Sequence, residues 1–226
     1  MKVRARLAKE GRARFLSHLD LQSTLERTLR RARIPVAYTQ GFNPHPRFSF
    51  ASALATGSSS EGEFMDVELQ ESMAPEVFAE QINQFFPPGV RVLEARQAPE
   101  RGDSLFSMID AAAYRISVRG AASGLLAAAV AAFLGRDVVE MEKETKRGKR
   151  MVNMREQVFE LAAQTDDLLH AVVQSGPQGN LKPDDLFAGM QAVYPALAGA
   201  ELAVAHRLML YRRDPASGRL LPPWDL

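Results

Sequence analysis

Apolar and polar positions alternate over the first seven residues, with Val3, Ala5 and Leu7 set against Lys2, Arg4 and Arg6, which predicts a strand. After the turn residue Gly11 the period lengthens. Leu19, Leu21, Leu25, Leu29 and Ala32 fall on one side of a helix. Ser17 is placed as its N-cap, with Asp20 three residues on in the position of a capping box. Arginines crowd the end of that helix, where cations suit the dipole, and Pro35 stops it. Residues 36–40 read as a short strand. In residues 41–46 two prolines within three positions remove donors and predict a rigid loop. Residues 48–54 read as extended, 57–60 as a loop, and 64–69 (FMDVEL) as an alternating strand. Pro75 opens a helix to residue 86, with Val77, Phe78, Ile82 and Phe85 on its apolar side. Pro87, Pro88 and Gly89 close it before a strand at 90–95.

The order β-α-β-β-α-β returns more loosely in the second half. Strands are predicted at 114–118, 138–143, 156–162, 168–174 and 202–211, with helices at 121–134 and 183–193. The Ala-rich helix is too short to cross a bilayer and reads as buried. Phe78 in PEVFA aligns with Phe187 in DDLFA, and Phe86-Pro87 with Tyr194-Pro195, which points to duplication. The expected fold class is therefore α+β, with two ferredoxin-like units packed side by side. Their expected extents are 1–100 and 111–213, joined through the Pro- and Gly-containing stretch 99–110, followed by a C-terminal tail, 214–226, in which Trp224 either anchors or hangs free.

Composition narrows the chemistry. The 226 residues include no cysteine, which excludes disulfides, a thiolate zinc site, an iron–sulfur cluster and a cysteine nucleophile. No apolar run is long enough for a membrane helix and the first residues lack a signal-peptide core, so a cytoplasmic protein with no membrane contact is expected. The net charge is only +1, but it is segregated: residues 1–50 hold eleven Lys/Arg against three acids, and residues 51–110 hold three against eleven. A second basic cluster comprises Lys143, Lys146, Arg147, Lys149, Arg150 and Arg155. Glu61, Glu63, Asp66 and Glu68 are expected to line the exposed face of a strand. The four histidines, at 18, 45, 170 and 206, have no metal-ligand spacing, so no metal site and no cofactor are expected.

Several motifs stand together: Phe15-Leu-Ser-His-Leu-Asp-Leu21, the arginines from Arg27 to Arg33, Gly41-Phe-Asn-Pro-His-Pro46, Ser49-Phe-Ala51, and Lys146-Arg-Gly-Lys-Arg150 followed by Asn153 and Arg155. In these the chain resembles the bacterial DUF2344, or radical SAM-linked, family, whose members occur alone or fused to the C-terminus of radical SAM proteins. Asn153 stands where that pattern leads one to expect an Asp. The resemblance implies a link to a radical SAM protein and names no established activity.

The residues themselves point first to a non-catalytic RNA-binding module, in tRNA or rRNA modification or processing. Arg27, Arg30, Arg31, Arg33, Lys146, Arg147, Lys149, Arg150 and Arg155 are the candidate phosphate contacts. Asn43, Arg47 and the loop between them, with His18, are candidates for shape or base contacts, and Tyr38, Phe42 and Phe48 for stacking. Two alternatives remain open. One is an accessory or substrate-presenting subunit of a radical SAM enzyme. The other is an endoribonuclease of the CRISPR RNA-processing kind, with His18 and His45 as base and acid, although no glycine-rich C-terminal loop of that kind is present.

Overall fold

The computed structural model describes residues 1–100, 102–145 and 148–224. The fold is mixed α+β, and the chain divides into two compact units. One comprises Met1–Ile109 and Arg207–Leu226, the other Asp110–His206.

In the first unit, strand β1 (Lys2–Lys9) leads through a short 3-10 turn to helix α1 (His18–Arg31). Strands β2 (Phe48–Phe50) and β3 (Ser59–Glu68), helix α2 (Pro75–Asn83) and strand β4 (Val90–Ala98) follow. β1 lies between β4 and β3 and is antiparallel to both, and β2 pairs with the far edge of β3. The strand order is thus 4-1-3-2. Alternation along β1 and β3 turns Val3, Ala5, Leu7, Met65 and Val67 toward Leu21, Leu25 and Leu29 of α1 and Phe78 and Ile82 of α2, which together form the core. The opposite alternation turns Arg4 to Asp66, its register partner.

The expected capping box is present: Ser17 Oγ accepts from the Asp20 N–H, and the Asp20 carboxylate accepts from the Ser17 N–H. The expected strand at 36–40 is reduced to isolated bridges, Val36 to Leu69 and Tyr38 to Pro46, and the extended segment at 48–54 pairs over only three residues. Pro46, opposite Tyr38, has no N–H to donate there, which limits the first of these.

The second unit contains strand β5 (Ala111–Arg119), helix α3 (Leu125–Leu134), strands β6 (Glu140–Thr145) and β7 (Gly148–Asn153), strands β8 (Val158–Thr165) and β9 (Leu168–Gln174), and helix α4 (Pro183–Val193). β9 lies between β5 and β8, antiparallel to both, while β6 and β7 form a separate hairpin. Strand β10 (Glu201–Arg213) pairs with β5 and with β3. Its residues to His206 belong to the second unit and those from Arg207 to the first. Without the hairpin the second unit also reads β-α-β-β-α-β with the order 4-1-3-2. Phe78 on α2 and Phe187 on α4 each lie buried on the second helix of their unit.

The units divide within β10, not at 111–213, and of the two expectations for the tail, 214–224 takes the anchored one. Ser60 Oγ donates to the Arg207 carbonyl at 3.2 Å, β11 (Leu220–Leu221) pairs with β10, and Arg4 donates to the Pro223 carbonyl. Trp224 meets Phe64 edge-on at 4.9 Å, and the Arg96 guanidinium lies 4.7 Å from the Trp224 ring centre. The C-terminal segment therefore covers the side of the first sheet that faces away from its helices. Among the described residues, no helix is long and apolar enough to cross a membrane.

Candidate nucleic-acid interface

Two independent placements create a groove beside α1. The helical period of α1 sets Thr24, Arg27, Thr28 and Arg31 along one flank, three and four residues apart. The opposite wall is the corner of residues 84–88 after α2. Gly89 holds that corner against the start of the chain: its carbonyl accepts from the Glu10 N–H at 2.7 Å. Its φ is +90°, and a Cβ there would stand 2.4 Å from the Glu10 carbonyl oxygen, so both backbone and space require glycine. The groove so formed has a volume of about 560 Å³. Arg12, Arg27 and Arg31 bring charge to it, and Phe85, Phe86 and Pro88 form its apolar side. On the other side of Arg31 a second hollow is lined by Arg33, Glu80 and Gln81, where the Gln81 amide donates to the Ala32 carbonyl at 2.6 Å and ties α2 to the end of α1.

The surroundings of the arginines separate them. Arg30 is paired with Glu26 at 3.2 Å, and Arg47 with Glu68 at 3.1 Å. Arg12, Arg27, Arg31 and Arg33 form no close ion pair with a carboxylate among the described residues, although the Arg27 charge still acts on Asp20. Arg27 donates to Thr24 Oγ1 at 3.3 Å, and the Arg31 guanidinium lies 5.8 Å from the centre of the Phe85 ring. Arg33, at φ 51°, takes the left-handed conformation that ends the helix. Arg12 and the aromatic corner had no signal in the chain. Arg12 lies in an irregular turn, and the prolines that identify the corner indicate a stop, not a wall.

The second basic cluster is on the β6–β7 hairpin of the other unit. Lys143 and Arg150 are register partners there, and Lys149 pairs with Glu142 at 2.6 Å. Lys146 and Arg147 lie outside the described residues. Arg155 is turned inward, donating to the Val158 carbonyl at 3.2 Å. Asn153 closes the base of the hairpin. Its oxygen accepts from the Val139 and Arg155 N–H groups, each at 3.1 Å, and its amide donates to the Asp137 carbonyl and the Glu156 carboxylate. An Asp at this position would lose both donations and face Glu156 as a like charge, which explains the asparagine.

In the 41–46 loop, Thr39 and His45 close the base: the Thr39 N–H donates to the His45 carbonyl and the His45 N–H to Thr39 Oγ1. Phe42, Asn43 and His45 are exposed beyond that bridge, as is Tyr38 in part. Phe48, by contrast, packs edge-on against Phe50.

His18 is half-buried. Its ring meets Phe50 at 5.6 Å, and its Nε2 lies 3.2 Å from the Gln22 amide nitrogen, from which the neutral ring accepts. No hydrogen bond or ring contact joins His18 to His45 among the described residues.

Beneath the first turn of α1 is a cluster of buried charges. Lys9 is 1% exposed, Glu63 2% and Arg207 2%. Arg207 donates to both oxygens of Glu63 at 3.0 and 3.1 Å and to the Ala53 carbonyl, while the Lys9 ammonium donates to the Leu16 carbonyl at 2.8 Å. On the other side of the sheet, Arg4 holds Asp66 through a second two-pronged pair at 2.8 and 2.9 Å. The expectation that Glu63 and Asp66 line an exposed face is thereby corrected, since cationic partners from β1 and β10 allow them to be buried. Arg4 and Lys9 likewise leave the count of surface charge. Among the described residues, no three acidic or histidine side chains gather as a metal-ligand set.

Burial holds the His18 imidazole below its ordinary pKa of 6.5, Glu63 opposes the shift and Lys9 adds to it. The folded state therefore resists protonation of His18. The stability associated with this is fully present above about pH 6.5 and is lost as pH falls through that value toward the folded pKa. Asp20, held low chiefly by its hydrogen bonds from Ser17, acts only in the carboxylate range below this window. Urea midpoints are expected to fall between about pH 7.5 and pH 5.5, and His18→Gln is expected to flatten that decline. An equally steep decline in the variant would show that other groups carry it.

The sequence matches, over residues 2–183, the family described as "Uncharacterized protein conserved in bacteria (DUF2344)". No curated protein matches it. Among solved structures, the "Crystal Structure of a Cbf5-Nop10-Gar1 Complex" is similar, with a TM-score of 0.49 and 11% identity over 94% of this chain and 50% of that one. The chain thus spans about half the length of that neighbour.

Proposed function

The chain belongs to the uncharacterised bacterial family DUF2344, and on that premise we propose that it is a non-catalytic RNA-binding module of RNA modification or processing. The observation that carries this reading is the set of exposed arginines without carboxylate partners at the end of α1 and across its groove: Arg12, Arg27, Arg31 and Arg33. Arg30, Arg47 and Lys149 are each neutralised by a neighbouring carboxylate, whereas these four lie together beside one groove with no carboxylate within ion-pair distance among the described residues. Leaving four unpaired in one region costs self-repulsion, which a polyanion relieves. The exposed 41–46 loop and the β6–β7 hairpin, with Lys149 and Arg150, are read as further contacts. Both units are read as ferredoxin-like, on the strength of the shared 4-1-3-2 order, and such sheets and helices host many functions.

The test is a filter-binding titration of the full chain against structured and single-stranded RNA at several salt concentrations. Affinity is expected to fall with salt, because each neutralised phosphate releases counterions. Replacing Arg12 and Arg27 together is expected to lower the slope for single strands by about 1.4, roughly 0.7 per lost phosphate contact. Both are exposed, so folding is expected to change by about half a kcal/mol or less. No binding tighter than about 0.1 mM at low salt would refute the reading.

A second reading is an accessory subunit of a radical SAM enzyme, cytoplasmic like the first. It is supported by exposed apolar side chains around the hairpin of the second unit, Val138 at 58% and Met151 at 56%. With no cysteine of its own, this chain would leave the cluster to its partner. Association with a radical SAM protein in the absence of RNA binding would favour it. The endoribonuclease alternative, with His18 and His45 as base and acid, has no observation in its favour among the described residues.

A further inference from the structure

We propose that the groove between α1 and the 84–88 corner seats an unpaired nucleotide, with its phosphates on Arg12 and Arg27 and its base against Arg31 and the aromatic side. This rests on the RNA-binding reading and names the element bound and the residues that bind it. The groove's volume, about 560 Å³, falls in the range of small-ligand clefts, roughly 300–1,000 Å³. It is chemically two-sided: guanidinium groups on one flank, Phe85, Phe86 and proline on the other, and no carboxylate among the residues that line it. A single nucleotide has the same two sides, a dianionic or diester phosphate and a flat π-face. A duplex offers phosphates but keeps its base faces stacked, so the apolar flank would go unused. Arg31 joins the two functions. Its guanidinium is held over the Phe85 ring, which leaves its outer face as a planar platform for a base. Buried Thr24 and Thr28 form the floor. Thr28 Oγ1 is committed to the Thr24 carbonyl at 2.8 Å, whereas Thr24 Oγ1 accepts from Arg27 and helps aim that side chain.

The test titrates the full chain with a labelled single-stranded uridine oligomer, a duplex RNA of equal length, uridine monophosphate and inorganic phosphate. Arg27→Gln with Arg31→Gln is expected to weaken the oligomer by roughly tenfold or more and to flatten its salt dependence. Arg31→Lys keeps the charge but removes the plane. It is expected to weaken the oligomer roughly fivefold with the salt slope unchanged, which a purely electrostatic or structural role would not produce. Displacement of the oligomer by uridine monophosphate at equal nucleotide concentration supports the groove with a free nucleotide as occupant; displacement only by strands supports it with RNA. Inorganic phosphate as effective as uridine monophosphate overturns the base contact. Duplex binding as tight as single-strand binding overturns the preference for an unpaired nucleotide. If the wild-type chain binds RNA while the arginine pair variant is unchanged and Lys149→Gln with Arg150→Gln loses binding, the groove assignment fails and the RNA reading stands. If the wild-type chain binds none of the probes, both fail.

Discussion

Glu63→Gln is expected to destabilise the protein by about 3–5 kcal/mol, because it leaves buried cations without their counter-charge. Glu63 holds Arg207 through two hydrogen bonds and is the carboxylate whose field acts on Lys9. All three residues are at most 2% exposed, so water cannot take over when the carboxylate is neutralised. Desolvation already holds the Lys9 ammonium below its usual pKa, with Glu63 opposing and Arg207 reinforcing that shift. Lys9→Met removes the surplus cation and leaves the Glu63–Arg207 pair intact, at the loss of one hydrogen bond to Leu16, a net of about 1 kcal/mol. The two changes are therefore expected to be non-additive: in the Lys9→Met background Glu63→Gln costs less than it does alone. Urea denaturation of the single and double variants measures this. A Glu63→Gln cost below about 1 kcal/mol, or strict additivity, would show that the charges are not coupled as described.

Gly62→Ala is expected to cost about 1–3 kcal/mol, toward the upper end, although alanine suits a strand no worse than glycine does. A Cβ at Gly62 would stand 2.5 Å from the Leu208 carbonyl oxygen and 2.5 Å from the Met209 Cα. These are main-chain atoms of β10 and cannot rotate away, so β10 must move off β3. With it would go the hydrogen bond from Ser60 to the Arg207 carbonyl and the alignment of Arg207 on Glu63. Gly199→Ala is the control, since nothing lies within 4 Å of its Cβ position. Thermal unfolding is expected to show a lower midpoint for Gly62→Ala and little change for Gly199→Ala. Equal midpoints would mean that β3 and β10 are not held this closely.

Much of the local structure was decided by neighbours in the chain. The Ser17–Asp20 cap, the apolar stripe of α1 from Leu21 onward (Leu19, placed on it by its spacing, is 71% exposed), the Pro75 helix start and the βαββαβ order all depend on contacts within a few residues, and their periodicities are readable directly. The arginine-rich end of α1 was equally plain. The sequence by itself also determined what chemistry is absent, since a chain without cysteine has no thiolate to offer. What only the tertiary structure decided depends on partners far apart in sequence. Glu63 and Asp66 sit in an alternating strand that looks solvated, and they are buried only because Arg207 and Arg4 reach them. The i,i+4 pairing of Glu26 with Arg30 is legible in the helix itself, but the support that the distant Phe85 ring gives to the adjacent Arg31 is not. The groove needs Arg12, Arg27 and the 84–88 corner together, and the return of β10 brings residues 207–224 onto the first unit. Periodicity reports which face of an element is apolar. It does not report which charge from elsewhere arrives there, and that is what separates a buried ion pair from a surface one and a paired arginine from a free one.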